Sequence, residues 1–221
     1  MASSSTRTIA EWWFYNAITR GDLQEVEKSL GEHPHFLEKL PSDSAIPIHV
    51  AATHDQNDVV ELLVAKGASI DPLNSFQQTP MHLAVERNNF STVEMLFSLK
   101  SKAVNMKDKL GRTPLHYTTA HYNSKMIKLL VQNGGDINSL NNMGDTVLDI
   151  VVRRQGYKID KEERQKLELF EDAIKSMESK QTKSRGELQP VYRHDGLIYQ
   201  QSKIVFFVFF FISTIKELAC R

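Results

Sequence analysis

Four copies of one short motif at a fixed spacing constrain this chain more than any other feature. The copies are Ile46-Pro47-Ile48-His49-Val50-Ala51, Thr79-Pro80-Met81-His82-Leu83-Ala84, Thr113-Pro114-Leu115-His116-Tyr117-Thr118 and Thr146-Val147-Leu148-Asp149-Ile150-Val151. Their second residues stand at 47, 80, 114 and 147, so the steps are 33, 34 and 33 residues. Self-similarity at such a period marks one supersecondary unit stacked on copies of itself, because a unit of that size cannot bury its apolar face alone.

The residue order within one copy has a mechanism, clearest in Gly111 to Tyr122. Thr113 supplies an oxygen that caps the free N–H groups of a starting helix, and Pro114 follows where a missing N–H costs nothing. Leu115 and Thr118 then lie on the buried side. After a polar break at His121 to Asn123, the apolar set Met126, Ile127, Leu129, Leu130 and Val131 predicts a second helix packed on the first. Asn133-Gly134-Gly135 ends it, glycine accepting the left-handed backbone that closes a helix. The extended stretch Asp136-Ile137-Asn138 leads to the next copy.

Thr-Pro-Leu-His heading a period of this length resembles the ankyrin repeat, over about Thr8 to Ser179. The resemblance implies an all-α solenoid of helix-turn-helix units joined by β-turn fingers. About five units are expected, at residues 6–40, 41–73, 74–107, 108–140 and 141–180, with the first and last degenerate. They form a domain 1–180, followed by a linker and hydrophobic tail at 181–221. In unit one, Thr8 to Glu11 and Asp22 to Glu25 read as capping boxes. The aromatic run Trp12 to Tyr15 is either a lid on the end of the stack or a docking surface.

Beyond Gly156 the pattern changes. Asp160 to Glu163 is another capping box, and Leu167, Phe170, Ile174 and Met177 make one apolar stripe among charges paired as Glu162 with Lys166 and Glu171 with Lys175. There are too few heptads for a coiled coil, so this helix is expected to close the last unit. Gln181 to Gln189 reads as a linker, and Val191 to Tyr199 around His194-Asp195-Gly196 as a hairpin. The uncharged run Ile204 to Ile215 spans about 18 Å as a helix, short of a hydrocarbon core of about 30 Å. It can lie in a membrane interface, insert shallowly or pack as a strand.

Composition excludes some function classes. With 27 basic and 27 acidic residues in 221, no overall field recruits nucleic acid. One cysteine, Cys220, rules out an internal disulfide framework and fits a reducing compartment. The start, MASSSTRTIAEWW, has no basic segment followed by an apolar run, so no secretory signal is expected and the location is read as cytoplasmic. A phosphate loop, HExxH, GxSxG and CxxC are all missing. No enzyme and no cofactor are therefore expected. His49, His82 and His116 recur at the repeat period, but stacked units are roughly 10 Å apart, too far for ligands that must lie about 2.1 Å from one zinc ion. The resemblance instead implies that each imidazole hydrogen-bonds beside the threonine of its motif.

The resemblance also implies the function: a monomeric scaffold or adaptor binding another protein, of unknown identity, on the concave face. The positions this places there are Ser75, Phe76 and Gln78; Lys109, Leu110 and Arg112; and Asn142, Met143 and Asp145 on the fingers. The inner helices add Thr53 and His54, Glu86 and Arg87, Ala120 and His121, and Arg153 and Arg154. Phe76, Leu110 and Met143 share one finger position, so they line up either as a docking ridge or to pack finger against finger. With Lys109, Arg112 and Arg87 beside them, a docking ridge suits a partner with apolar and acidic residues. Ankyrin repeats are also hydroxylated on asparagine, which points to Asn138 with Leu130 eight residues upstream. An alternative reading makes the array the cytosolic part of a protein attached to a membrane through 204–215.

Overall fold

The computed structural model describes residues 8–40, 45–155, 165 and 168–177, with the side chains of Arg154 and Gln155 outside that set. The expectations for Asp160 to Glu163, Leu167, the Glu162–Lys166 pair, the linker, the hairpin, the run Ile204 to Ile215 and Cys220 lie outside the described residues. The chain divides into units Met1–Ser179 and Lys180–Arg221, and all the described residues belong to the first.

Helices come in pairs, one pair for each of four repeats. They are α1 (Ile9–Arg20) with α2 (Leu23–Glu32), α3 (Pro47–Thr53) with α4 (Asn57–Ala65), α5 (Pro80–Glu86) with α6 (Phe90–Ser98), and α7 (Pro114–Tyr117) with α8 (Ser124–Gln132). α9 (Val147–Gln155) opens the fifth unit, and no strand occurs among the described residues. Thr8 closes its capping box with Glu11, and the Asp22 carboxylate accepts from the Glu25 N–H at the start of α2. Inner helices stack on inner helices, α1 on α3, α3 on α5 and α5 on α7. Ala51, Ala52 and Ala84 are fully buried, and their small side chains let the backbones approach. Behind them Val59, Val60, Leu63, Met81, Val93, Leu96, Leu115, Ile127 and Leu130 form one continuous core. Each of these large side chains contributes about 1.5–3 kcal/mol by leaving water.

The turn from inner to outer helix is left-handed in each pair, at Gly21, Asp55, Asn88 and Tyr122, with φ of 74°, 57°, 61° and 51°. A polar residue just beyond it ties each unit to the one before. Gln56 donates to the Thr19 carbonyl at 2.9 Å, Asn89 to the Ala52 carbonyl at 2.8 Å, and Asn123 to the Asn88 side chain at 2.6 Å.

The copy closest to the motif has the least regular inner helix. α7 tightens after one turn into a 3-10 segment, Thr118–Ala120. Thr118 and Thr119 stand where the other units carry small apolar residues, and their hydroxyls donate to the Leu115 and His116 carbonyls at 2.6 and 2.8 Å. Such back-bonding competes with the helical ladder and bends it.

At the ends, the aromatic run of unit one divides. Phe14 is core, while Trp12 and Trp13 meet edge to face at 5.0 Å and remain about half exposed. Residues 168–177 are helical, with Phe170 and Ile174 fully buried and the Phe170 ring against Tyr122 at 5.8 Å. Lys175 pairs with Glu171, as their spacing predicts.

Candidate interaction face

Three fingers repeat one construction. The first residue of each, Asn74, Asp108 or Asn141, uses one side-chain oxygen to accept two backbone N–H groups from its own finger. Asn74 takes those of Phe76 and Gln78, both at 2.9 Å; Asp108 takes those of Leu110 and Arg112, both at 2.8 Å; Asn141 takes those of Met143 and Asp145, at 2.8 and 3.0 Å. The finger is closed by a backbone bond from that first residue's N–H to the fifth residue's carbonyl, at 3.0, 2.9 and 3.0 Å. Neighbouring fingers are joined by Lys109 N–H to the Phe76 carbonyl at 3.0 Å and Asn142 N–H to the Leu110 carbonyl at 2.9 Å.

This construction turns the N–H of the third residue inward and leaves its side chain at the tip. Phe76, Leu110 and Met143 are 64%, 57% and 78% exposed, so they do not bury one another. Of the two sequence readings of this row, packing of finger against finger is the one the geometry disfavours. Ser75, Lys109 and Asn142 are exposed beside them, with the Asn142 amide also donating to the Lys109 carbonyl at 3.0 Å.

The fifth finger residue lies differently from what its place in the sequence suggested. Gln78, Arg112 and Asp145 are engaged inside the finger bases. Arg112 pairs with Asp108 at 2.8 Å, donates to the Tyr117 hydroxyl at 2.7 Å and lies over the Tyr117 ring at 4.5 Å. Tyr117 in turn donates to Asp108 at 2.6 Å and accepts from Gln78 at 2.7 Å. Asp145 is buried and pairs with Arg153. These contacts keep the two buried carboxylates partnered, as a carboxylate out of water requires, and the Gln78–Tyr117 bond also joins one unit to the next. The network raises Tyr117 to about 12, first through burial and then through its bond to Asp108. Burial alone would raise Asp108, but hydrogen bonds from Tyr117 and from the backbone and guanidinium of Arg112 hold it below the usual carboxylate range. The signal missed in the sequence was Tyr117, a hydroxyl where the other copies carry Val50, Leu83 and Ile150.

The histidines brace the fingers from beneath. In His82 and His116, Nδ1 accepts from the backbone N–H of Thr79 or Thr113 at 3.1 Å and from its hydroxyl at 2.8 or 2.9 Å. That fixes the proton on Nε2, which donates to the Arg112 or Asp145 carbonyl of the next finger at 3.1 or 3.2 Å. His49 likewise reaches the Gln78 carbonyl at 2.9 Å. The expectation of a threonine beside each imidazole fails there, because Ile46 holds the cap position and the His49 Nδ1 is buried without a partner. Burial lowers the pKa of all three, His49 to about 4. No group of three or more His, Cys, Asp or Glu among the described residues is placed to hold a metal ion.

On the inner helices Glu86 and Arg87 are exposed, and His121 donates through Nε2 to the Glu86 carbonyl at 2.8 Å. Thr53 donates to the His49 carbonyl at 2.7 Å, and His54 through Nδ1 to the Val50 carbonyl at 2.9 Å. Ala120 is exposed, and the side chain of Arg154 lies outside the described residues. Asn138 is half-buried, with its N–H on the Asp136 carboxylate at 3.2 Å. One position absent from the sequence reading is Arg20, exposed at the end of α1, which the same period places in line with His54.

Comparison with known proteins agrees with this architecture. A family model of ankyrin repeats in three copies matches residues 14–108 and again 88–160. The probable 26S proteasome regulatory subunit p28 of Saccharomyces cerevisiae is 31% identical over 145 residues, which are 64% of this chain and 63% of that protein. A Caenorhabditis elegans homolog of transient receptor potential cation channel subfamily A member 1 is 32% identical over 134 residues, 61% of this chain and 11% of that one. Ankyrin repeat and SOCS box protein 6 of Pongo abelii is 32% identical over 133 residues, 56% and 31% of the two chains. The chain thus spans less than two thirds of the length of each of these relatives.

Proposed function

The chain belongs to the ankyrin-repeat family, whose arrays bind other proteins, and on that premise we propose that it is a non-catalytic, monomeric, cytoplasmic scaffold or adaptor holding a partner on its finger tips and the adjoining ends of its inner helices. The observation that carries the reading is the row Phe76, Leu110 and Met143. Three large apolar side chains stay in water on fingers whose backbones are closed by hydrogen bonds within each finger and joined by hydrogen bonds between neighbours. Exposed apolar groups on a rigid frame, rimmed by polar ones, are the usual anchors of a protein interface. A relative named as a proteasome regulatory subunit supports a place within a protein assembly.

The test replaces Phe76, Leu110 and Met143 together by serine, and measures thermal stability beside capture of partner proteins. Unchanged melting with lost capture is expected. Capture at the level of the unmodified chain would remove the reading.

A second reading, attachment to a membrane, is favoured by one observation, the uncharged run Ile204 to Ile215. No helix among the described residues is long and apolar enough to cross a membrane. Flotation with liposomes separates the readings: attachment requires the full chain to float and a version ending at Lys180 to remain below. Hydroxylation of Asn138 is proposed on the family pattern, and would appear as one added oxygen on that peptide in native material.

A further inference from the structure

The turn that ends α8 holds a reactive pair of residues. Asn133 is the one asparagine of the chain that is followed by glycine. An asparagine side chain is open to attack by the backbone nitrogen of the next residue, and glycine shields that nitrogen least because it has no Cβ. Both residues are exposed, and a Cβ built on Gly134 would meet nothing within 4 Å. Asn133 caps the C-terminal end of α8, and Gly134 follows at a left-handed φ of 91°.

Hydrogen bonds occupy both reacting groups. The Asn133 Nδ2 donates to the Leu129 carbonyl at 2.9 Å, and the Gly134 N–H donates to the Val131 carbonyl at 3.1 Å. Neither is free to react until the end of α8 opens. The unit before holds that end shut. Asn105, in the 3-10 turn Ala103–Asn105, donates its side-chain amide to the Gly134 carbonyl and accepts the Asp136 N–H, both at 2.8 Å. The same clamp stands one unit earlier. There Asp71, 34 residues before Asn105, accepts from the Ser101 hydroxyl at 2.6 Å and the Lys102 N–H at 2.8 Å, but the gripped loop Leu99-Lys100-Ser101 has neither asparagine nor glycine. Beyond Asn133 the chain is tightly seated. Gly135 is buried, donates to the Leu130 carbonyl at 2.9 Å, and a Cβ on it would stand 2.8 Å from that carbonyl and 3.0 Å from Leu115 Cδ1.

We propose that Asn133-Gly134 is a site of spontaneous deamidation gated by the Asn105 clamp, and that its product loosens the loop leading from unit four to the finger that carries Met143. The Gly134 nitrogen gives up its proton and bonds to Asn133 Cγ. The Cγ–Nδ2 bond breaks, and the side-chain nitrogen takes up a proton and leaves as ammonia. Water then opens the cyclic imide at either carbonyl, giving aspartate or isoaspartate, so the sum is one water consumed and one ammonia released. Either product puts a carboxylate at the C-terminal end of α8, where the helix dipole opposes negative charge. Isoaspartate also routes the backbone through Cβ and Cγ. The added atom displaces Gly134 and Gly135, which have their carbonyl and N–H committed to Asn105 and Leu130.

The test incubates the full chain at neutral pH over several weeks and follows the peptide containing Asn133 by mass spectrometry, with isoaspartate read by an isoaspartyl methyltransferase. Slow conversion is expected in the folded chain, and conversion at least about tenfold faster in urea, where no clamp exists. Asn105→Ala should speed the folded reaction about fivefold, since two hydrogen bonds across an exposed loop are lost. Asp71→Ala cuts the corresponding clamp of the previous unit and should leave the Asn133 rate unchanged. Hydrogen exchange of the Gly134 amide should rise with Asn105→Ala and not with Asp71→Ala. An intact Asn133 in the folded chain throughout, or equal rates folded and unfolded, overturns the proposal. Equal acceleration by both substitutions also overturns it, because the rate would then follow general loosening of the array. Separated isoaspartate material should melt below Asn133→Asp, which carries the charge without the longer backbone; equal melting removes the structural consequence.

Discussion

Unit two and units three and four use the same histidine for the same brace, yet only the later two complete its hydrogen bonds. His82 and His116 accept from the backbone and hydroxyl of a cap threonine, which leaves Nε2 to reach the next finger. His49 reaches the next finger equally well, but its other nitrogen is buried without a hydrogen-bond partner, and Ile46 at the cap has no hydroxyl to offer it. The cap backbone moves with the side chain: ψ is 118° at Ile46 against 166° at Thr79 and Thr113. Unit five makes the converse exchange. There the Asp149 carboxylate accepts from the Thr146 N–H and hydroxyl, both at 2.8 Å, so the cap is complete. It offers no N–H for a further finger. The repeat thus separates two tasks, closing its own helix and holding its neighbour, and units two and five each keep one of the two.

The largest test of this comparison is acid. Burial holds His49 near 4, and lowers His82 and His116 as well. In the unfolded chain each would take its proton near the ordinary value of about 6.5, so below that pH the unfolded state binds more protons than the folded one. The stabilisation is therefore fully present above about 6.5 and is lost as pH falls toward 4. For His49 alone this amounts to about 3 kcal/mol, at about 1.4 kcal/mol per pH unit. Urea unfolding at a series of pH values should show the midpoint falling steadily between 6.5 and 4.5. A flat profile, or an NMR titration placing His49 near 6.5, would remove buried neutral histidine from the account.

Next in size, Thr113→Ile would impose the unit-two arrangement on unit four. A lost cap costs about 1 kcal/mol and a stranded buried acceptor a further 1–3 kcal/mol, so a loss of roughly 2–4 kcal/mol is expected in chemical unfolding. Should the variant lose under 1 kcal/mol, the threonine hydroxyl is dispensable and the histidine's bond to the next finger carries the unit. The reverse change, Ile46→Thr, should gain about 1 kcal/mol by giving His49 Nδ1 a hydroxyl donor. Unchanged stability there would mean that the backbone at residue 46 cannot rotate to the cap geometry.

The repeat period, the helix pairs, the caps and the core faces were all legible because each rests on local rules, proline at the first turn, threonine before it and apolar residues three and four apart. The shared tip position of Phe76, Leu110 and Met143 was legible as well, being one position counted along a period, while their exposure came only from the fold. Side-chain networks at the finger bases were not legible. Arg112 and Asp145 read as surface residues, but the fold sets each against a charge a few residues away along the chain, and Gln78 against Tyr117 of the next unit. The stranded His49 was hidden for the same reason in reverse, since Ile46 reads as an acceptable apolar residue until the imidazole beneath it is counted. Arg20 was missed because the motif itself is absent from unit one, although the period continues through it.

The smallest test concerns the fingers. Their fourth residue is Gln77, Gly111 or Gly144, with φ of 58°, 71° and 79°. All three are left-handed, so one finger holds with a glutamine the backbone that the other two hold with glycine. A side chain there costs about 1 kcal/mol against glycine. Gln77→Gly should therefore raise the stability by somewhat less than that, because the freer unfolded chain offsets part of the gain. Glycine at 111 answers a further demand that position 77 does not show: a Cβ on Gly111 would stand 2.7 Å from the backbone nitrogen of Asn142, the atom that joins the two fingers through the Leu110 carbonyl. If Gln77→Gly lowers the melting temperature instead, the glutamine side chain is supporting the Phe76 finger, and the difference between the fingers lies in their side chains rather than in backbone strain.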